Sequence, residues 1–383
     1  MKIKVLSAIT GLFFATVVMA QVNKTSPTPA TTPATTPATT PATTPAPSVA
    51  GQQKAGDTVK ATSLTPDQSA EISYNKGIED FGKGDYNAAL ADFTQAITLK
   101  PDFEQAYFNR GNTKYKTKDY QGALADYNKA VVLNSNDDKA YYGIAQVQSM
   151  IGTKEQAMQA YGQCLTINPK NADAAYYRGE MKFQTKDFQG AMADFNQAIA
   201  NKPTYAEAFN DRGSCKVELK QYKDAIDDYQ KSIALNKSAT TYNNLGSAQR
   251  KAGDNNSALD SYSAAIALKS DYYIALNNRG VTKFEKQDYQ GAIEDFNKAI
   301  ALNASYSYAY NNRASAEFKL KQYQNAKYDC DKAIQLNPNY GLAYLNRGIA
   351  EEMLRKPDDA CTDWKKASTL GVAAGKDYSA DCE

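Results

Sequence analysis

Small, apolar and polar positions recur along the chain with a period of 34 residues, from about residue 66 to about residue 370. A small residue marks the first half of every period, and only one interval departs from this spacing, being 33 residues long. The markers are Gly77, Gly111, Ala145, Gly179, Gly213, Gly246, Gly280, Ala314 and Gly348. Nine repeats of this length predict nine structural units that stack on one another.

Each period has the pattern of two short helices. An alanine stands twelve residues after every marker. An aromatic residue stands sixteen residues after it, from Phe93 to Trp364, with Cys330 as the exception, and a second small residue stands nineteen residues after it. Small residues let two helices approach closely, and the aromatic ring fills the remaining volume. The pattern therefore predicts an antiparallel pair, helix A and helix B, in every repeat.

Two positions of the repeat vary together when the marker is numbered place 8. Place 7 is basic in seven repeats, and place 23 is aspartate in the same seven. In repeats three and six place 7 is apolar and the aspartate is absent. We therefore expect ion pairs within repeats, as architecture rather than catalysis. The predicted pairs are Lys76–Asp92, Arg110–Asp126, Arg178–Asp194, Arg212–Asp228, Arg279–Asp295, Arg313–Asp329 and Arg347–Asp363.

The period and the register of small and large residues resemble the tetratricopeptide repeat family. The resemblance implies an all-α fold, a right-handed superhelical solenoid of nine helix pairs with a short C-terminal capping helix. It also implies a non-catalytic scaffold that binds an extended peptide or a partner protein in a concave groove lined by helix A. We accordingly assign residues 65–371 to the repeats and residues 372–383 to the cap.

In the family, places 5 and 6 tend to face the groove. An asparagine amide both donates and accepts hydrogen bonds, and the asparagines here resemble a ladder that grips extended peptide backbone in related repeats. The alternative is that each amide bonds within its own helix pair or caps a loop. The expected groove residues are Tyr74, Phe108, Tyr142, Tyr176, Asn210, Asn243, Asn277 and Asn311 at place 5, and Asn75, Asn109, Asn244, Asn278, Asn312 and Asn346 at place 6.

The five cysteines fall into two groups. Cys164, Cys215 and Cys330 stand at packing positions, where cysteine serves as a small apolar residue. Cys361 belongs to the ninth repeat, and Cys382 is the second-last residue. The sequence ACTDWKKASTLG followed by a terminal cysteine resembles the last repeat of many exported bacterial repeat proteins, which implies a Cys361–Cys382 disulfide.

Residues 1–20 have the pattern of a secretory signal peptide. Lys2 and Lys4 form a basic start, an apolar stretch follows, and Val18 and Ala20 place small residues where signal peptidase reads. We expect cleavage after Ala20, no transmembrane segment in the mature chain, and export to the periplasm or the cell surface. The alternative is an uncleaved anchor.

Residues 21–64 have the composition of a disordered linker. Residues 25–47 include four Ala-Thr-Thr-Pro units, and a proline in every fourth position prevents a helix. We expect an extended spacer, either glycosylated or unmodified. The triplet Asp57-Thr58-Val59 resembles an acceptor of some bacterial O-glycosylation systems, with Thr58 as the modified residue. Thr65 predicts the start of ordered structure, because Thr-Pro-Asp-Gln reads as a capped helix start.

The amino-acid composition argues against several classes of catalytic and binding site. The 383-residue chain has no histidine, which removes Ser-His-Asp and Cys-His nucleophiles and the commonest zinc sites. Neither GxxxxGK[ST] nor GxGxxG is present. The chain has 44 Lys and Arg against 42 Asp and Glu, so loss of Lys2 and Lys4 leaves it formally neutral and without a basic surface for nucleic acid. We expect no catalytic residue, cofactor, metal or small-molecule substrate.

Two classes of function remain. The first is the protein-interaction scaffold that the repeat implies. The second is a cell-surface structural or adhesive protein, and the Thr/Pro stalk favours it because a stalk projects a folded domain away from the surface. An enzyme ranks third, since no constellation of residues would carry a reaction.

Overall fold

A computed structural model of the protein describes residues 64–380 and residue 382. The predicted signal peptide, the predicted linker up to residue 63 and the predicted glycosylation residue Thr58 lie outside the described residues. All regular secondary structure in the described part of the chain is helical, which confirms the all-α prediction. The chain forms two compact units, with the boundary between Pro203 and Thr204.

The first unit contains four helix pairs joined by short turns. Its helices are α1 (Pro66–Lys83), α2 (Tyr86–Leu99), α3 (Glu104–Lys116), α4 (Tyr120–Leu133), α5 (Asp138–Ile151), α6 (Lys154–Ile167), α7 (Ala172–Gln184) and α8 (Phe188–Asn201). The predicted start of order has the geometry of a capping box: the Thr65 hydroxyl accepts from the Gln68 amide N–H, and the Gln68 carboxamide oxygen accepts from the Thr65 N–H. Odd-numbered helices are helix A of a repeat, and even-numbered helices are helix B.

The second unit contains five helix pairs and one short additional helix. Its helices are α9 (Ala206–Glu218), α10 (Tyr222–Leu235), α11 (Ala239–Lys251), α12 (Asn255–Leu268), α13 (Tyr273–Glu285), α14 (Tyr289–Leu302), α15 (Ser307–Lys319), α16 (Tyr323–Leu336), α17 (Gly341–Met353), α18 (Pro357–Thr369) and α19 (Ala373–Ser379). Within each unit, neighbouring pairs bury alanines and aromatic rings between them.

The closest approach within a pair is between the marker glycine of helix A and the aromatic ring of helix B. A methyl group added at Gly111 would lie 2.8 Å from the Tyr127 ring, and one at Gly280 would lie 2.7 Å from the Phe296 ring. Repeat eight has Ala314 as its marker and Cys330 in place of the ring, so a smaller helix-B residue accompanies the larger marker.

Each predicted arginine forms a bidentate ion pair with the aspartate of its own repeat. In all six arginine pairs the Nη2 and Oδ1 atoms lie 2.6–2.7 Å apart, and Nε donates to Oδ2. Lys76 Nζ lies 2.8 Å from Asp92 Oδ2 in the first repeat. The six aspartates that pair with arginine are buried, whereas the arginines keep 15–22% of their side chains exposed.

The arginine also reaches the helix B that precedes it. Nη1 of Arg110 donates to the Thr94 hydroxyl, and Nη1 of Arg279 donates to the Ser263 hydroxyl at 3.0 Å. Nη1 of Arg347 contacts Asp331 Oδ1 at 2.7 Å. In these repeats one guanidinium therefore ties its own helix pair to the preceding one.

A lysine at place 11 joins several of these pairs, which the sequence analysis missed. Lys114, Lys182, Lys216 and Lys283 each place Nζ 2.7–2.9 Å from the second carboxylate oxygen of the same aspartate. Two cations thus neutralise one buried anion. The signal was present in the sequence, because place 11 is lysine only in repeats that also have the arginine and the aspartate.

Repeats eight and nine have a glutamate at place 11 instead. Burial and the nearby Asp329 carboxylate raise the pKa of Glu317 to about 8. Burial and the Asp363 carboxylate likewise raise the pKa of Glu351 to about 7, although Arg347 and Lys327 oppose the shift. Burial also raises the pKa of Asp329, but Arg313 opposes that shift through two hydrogen bonds. Glu317 has no such bond to Arg313, so we assign the extra proton of the pair to Glu317.

The last pair is covered by α19. The ring centroids of Trp364 and Tyr378 lie 5.1 Å apart, and a methyl group at Gly375 would lie 2.6 Å from the backbone nitrogen of Ser368. A disulfide joins Cys361 of α18 to Cys382. The remaining cysteines, Cys164, Cys215 and Cys330, are buried.

The three-residue charge cluster generates a prediction for repeat four. Asp194→Ala should lower the free energy of unfolding by about 3–5 kcal/mol, because it leaves Arg178 and Lys182 without their buried anion. The triple variant Arg178→Leu, Lys182→Gln, Asp194→Ser copies the uncharged repeat six and should recover most of that loss. Urea unfolding followed by circular dichroism measures both. A triple variant no more stable than the single one would contradict the pairing.

The glutamates of repeats eight and nine generate a prediction for pH dependence. The folded protein holds a proton on Glu317 up to about pH 8, whereas a glutamate with its ordinary pKa of 4.5 has already lost it, so stability falls as pH rises through this window. Glu317→Lys copies Lys283 of repeat seven and should reduce this slope, leaving the part that Glu351 contributes, and raise Tm at pH 8. Thermal melts at pH 5, 6, 7 and 8 test this, and parallel curves for both proteins would contradict it.

Candidate functional site

A pocket of about 490 Å³ opens beside α1, α3 and α5 of the first unit. We call it the first-unit pocket. Its aromatic lining residues are Phe81, Tyr86, Phe108, Tyr115, Tyr127 and Tyr142. Its polar and charged lining residues are Asn112, Gln146, Asn168, Asn171, Lys116, Lys139, Asp138 and Asp173. The lining therefore combines six aromatic rings with eight polar or charged side chains, and a concave surface that carries both kinds of group is a usual form of binding site.

The repeat register places these side chains at the pocket. Phe108, Asn112 and Tyr115 occupy places 5, 9 and 12 of α3, so they lie on one face of the helix. Gly143 occupies place 6 of α5, where most repeats have asparagine. A methyl group at Gly143 would lie 2.8 Å from the Tyr127 ring, so glycine leaves space that a larger side chain would fill.

Hydrogen bonds fix part of the lining. The Tyr127 hydroxyl donates to Asn112 Oδ1 at 2.8 Å. On the opposite side of the lining, Asn168 Nδ2 donates to Asp138 Oδ2 at 2.7 Å. The rings of Tyr115 and Tyr120 meet edge to face at 5.6 Å. These contacts hold the rings in place before any ligand arrives, which lowers the entropy cost of binding.

Tyr142 is the one lining residue whose buried polar atom lacks a partner within the described residues. Its side chain is 7% exposed, and burial raises the pKa of its hydroxyl. Its ring packs edge to face on Tyr161 at 5.7 Å. A buried hydroxyl without a hydrogen bond costs about 1–3 kcal/mol, so this atom is a candidate contact for a ligand.

Of the four aromatic residues predicted at place 5, two line the pocket and two do not. Phe108 and Tyr142 line it. Tyr74 instead packs in the core on Phe103, with ring centroids 4.8 Å apart, and Tyr176 packs on Phe195 at 5.7 Å. The expectation of groove exposure is therefore wrong for Tyr74 and Tyr176, because their rings fill space inside the helix stack.

The predicted asparagine ladder of the second unit is not an accessible surface. The side chains at places 5 and 6 bond to one another between neighbouring repeats: Asn278 Nδ2 donates to Asn243 Oδ1, and Asn312 Nδ2 donates to Asn277 Oδ1 at 2.9 Å. In the same way, Asn346 Nδ2 donates a hydrogen bond to Asn311 Oδ1, and Asn244 Nδ2 donates to Asn210 Oδ1. The residues Asn243, Asn244, Asn277, Asn278, Asn311, Asn312 and Asn346 are only 0–3% exposed.

In the second unit these amides are buried between adjacent A helices, and most of their bonds cross between repeats. Asn277 Nδ2 also contacts Asn278 Oδ1 within its own helix, as the alternative interpretation predicts. Asn210 is half-buried. In the first unit Asn75 is exposed, and Asn109 Nδ2 donates to the Tyr74 hydroxyl, which is the same place-6 to place-5 bond.

A positional rule explains these bonds. Place 6 is asparagine in every repeat whose predecessor carries either asparagine or the hydroxyl of Tyr74 at place 5. Where the predecessor carries Phe108, which offers no acceptor, place 6 is Gly143. This correlation between neighbouring repeats is the sequence signal for the buried amide pairs, and it is absent from the sequence predictions above.

Metal sites and membrane-spanning helices are absent from the described part of the chain. Residues 64–380 and 382 contain no group of three or more Cys, Asp or Glu side chains placed to hold a metal ion. None of the helices described is long and apolar enough to cross a membrane.

The fold and the pocket define a helical-repeat protein with a pocket lined mainly by its A helices. Sequence models described as tetratricopeptide repeat match residues 104–137, 152–206, 206–238, 243–307 and 307–340, and one described as TPR repeat matches residues 79–118. The chain belongs to the tetratricopeptide repeat family. No curated protein matches the chain in sequence.

Solved structures are similar in fold. The Cut9–Hcn1 hetero-tetramer of the APC/C matches with a TM-score of 0.52 and 15% identity, over 84% of this chain and 77% of that one. YrrB, described as a TPR protein with an unusual peptide-binding site, matches with a TM-score of 0.41 and 20% identity, over 49% and 97%. MamA from Desulfovibrio magneticus RS-1 matches with a TM-score of 0.42 and 22% identity, over 44% of this chain and 96% of that one.

The buried amide pairs generate a prediction. Asn278→Ala should lower the free energy of unfolding by about 1–3 kcal/mol, because it leaves the buried Asn243 oxygen without a donor. Adding Asn243→Ala to this variant should lower the free energy of unfolding by a smaller further amount, because both polar partners are then absent. Asn75→Ala is the matched control at an exposed place 6 and should change stability little. Additive losses in the double variant, measured by urea unfolding, would contradict the pairing.

Proposed function

We propose that the protein is a non-catalytic interaction scaffold and that the first-unit pocket binds an extended peptide segment of a partner protein. Proteins of this repeat family generally act as non-catalytic scaffolds. The single observation that supports the choice of site is the pocket itself, in which Tyr142, with its unpaired hydroxyl, and three other aromatic rings lie on the A helices of the first unit, and Tyr86 and Tyr127 lie on B helices. In the second unit, most side chains at places 5 and 6 are buried, and their amides bond to one another.

The chemistry of the lining fits a peptide backbone with small side chains. Aromatic faces provide apolar contact area at a low entropy cost. Gln146 and Asn171 add amide groups beside the rings. Two lysines and two aspartates line the pocket, so their charges balance and the lining does not select a strongly charged partner.

We further propose that the protein acts after export, in the periplasm or at the cell surface. The N-terminal sequence pattern supports export, and the Cys361–Cys382 disulfide fits an oxidising compartment. Partner proteins in this proposal share that compartment.

Site-specific photo-crosslinking tests the proposed site. A photo-reactive residue at Lys139, which is exposed and lines the pocket, should crosslink to the partner in intact cells. The same residue at Lys129, which is exposed on helix B of the same unit, is the matched control and should not. Phe108→Ala should reduce the crosslink from position 139 severalfold while the protein stays folded by circular dichroism. Equal crosslinking from positions 139 and 129 would contradict the proposal.

A further inference from the structure

No place-6 asparagine follows Tyr142 beside the first-unit pocket, and none follows Tyr176, where the next repeat has Asp211. Tyr142 carries a hydroxyl at place 5, yet the next repeat has Tyr177 at place 6 where an asparagine would donate to it. The Tyr177 ring instead stacks on Tyr161, with centroids 6.1 Å apart. The Tyr142 hydroxyl consequently lacks a partner within the described residues, in a side chain that is more than nine-tenths buried. Breaks of a local rule concentrate at functional sites.

An uncharged, proline-containing segment fits the chemistry of this lining. Proline-rich segments form polyproline II helices, which have no internal hydrogen bonds and dock on aromatic grooves. Their carbonyl oxygens accept hydrogen bonds, and a tyrosine hydroxyl is a suitable donor. Lys116 and Lys139 are balanced by Asp138 and Asp173, so an uncharged ligand leaves no unpaired charge in the pocket.

The chain itself contains a segment with this chemistry. Residues 25–47 are rich in threonine and proline and contain no charged side chain. We propose that these residues, the Thr/Pro tract, bind the first-unit pocket of their own chain as a polyproline II segment, with the Tyr142 hydroxyl donating to a tract carbonyl. This inference rests on the proposed function, because it names the occupant of the same pocket when no partner is bound.

The tether between tract and pocket is long enough. Sixteen residues lie between Pro47 and Leu64, and this stretch spans up to roughly 55–60 Å when extended. Phe81, a lining residue, lies near the far end of α1, whose 18 residues span about 27 Å. A short tether gives an effective concentration on the order of millimolar. The four repeated units also give the tract several equivalent registers.

The consequence is competition between the tract and a partner for one pocket. A weakly binding segment attached to the same chain occupies the site until a stronger ligand displaces it. The tract therefore sets a threshold of affinity or concentration for partner binding, in addition to its role as a spacer.

A peptide titration on the mature chain, residues 21–383, tests the proposal. The probe is a fluorescent synthetic peptide with the sequence TPATTPATTPAP, and the readout is fluorescence anisotropy. A variant that lacks residues 25–47 should bind this peptide at least about tenfold more tightly than the full mature chain, because the competing tract is gone. A peptide with every proline replaced by alanine should bind neither protein.

Pocket variants of the deleted chain locate the binding. Tyr142→Phe should weaken peptide binding about three- to tenfold while Tm stays equal or rises, since the hydroxyl is unpaired in the free protein. A merely structural role would move Tm and leave the affinity unchanged. Tyr328→Ala removes an aromatic ring that is 57% exposed and lies outside the pocket. This control should change neither the peptide affinity nor Tm.

Two results would overturn the proposal. One is equal peptide affinity for the full and deleted chains, which would mean that the tract does not occupy the pocket. The other is no peptide binding to the deleted chain, which would mean that the pocket takes other ligands. In either case a crosslink from position 139 that Phe108→Ala weakens would leave the proposed function standing, so the two failures are distinguishable.

Discussion

The structure depends on the contact between a glycine of helix A and an aromatic ring of helix B. The ring lies against the helix-A backbone in both units, as at Gly111 with Tyr127 and at Gly280 with Phe296, and a single methyl group would collide with it. This contact sets the distance between the two helices of a pair. The ion pair is a second link between the same two helices, and it also forms in repeat eight, where Ala314 and Cys330 replace the glycine and the ring.

The fold was predictable because its determinants repeat. Period, helix pairs and the covarying places 7 and 23 are all visible when nine units of one chain are compared. The lysine at place 11 was missed, because Lys114 makes a second contact to an aspartate that already has a partner. The buried state of Asn278 was also missed, because exposure depends on how closely neighbouring A helices pack, and the register of one repeat does not determine that distance.

The A helices of the two units differ in what their place-5 and place-6 side chains do. In the second unit, amide pairs such as Asn312 with Asn277 use the polar groups to join neighbouring repeats. In the first unit, Gly143 and Phe108 provide no such pair, and the space between the helices remains open as a pocket. The same two positions of the repeat therefore join neighbouring repeats in the second unit, and at Phe108 and Gly143 of the first unit they leave space for a pocket.

The central claim is that partner binding takes place on the A helices of the first unit. Hydrogen–deuterium exchange of the free and partner-bound protein tests it most directly, because it reports on every segment at once. The account predicts slower exchange on partner binding in α3 and α5, with α13 and α15 unchanged. Protection confined to α13 and α15, with α3 and α5 unchanged, would contradict it.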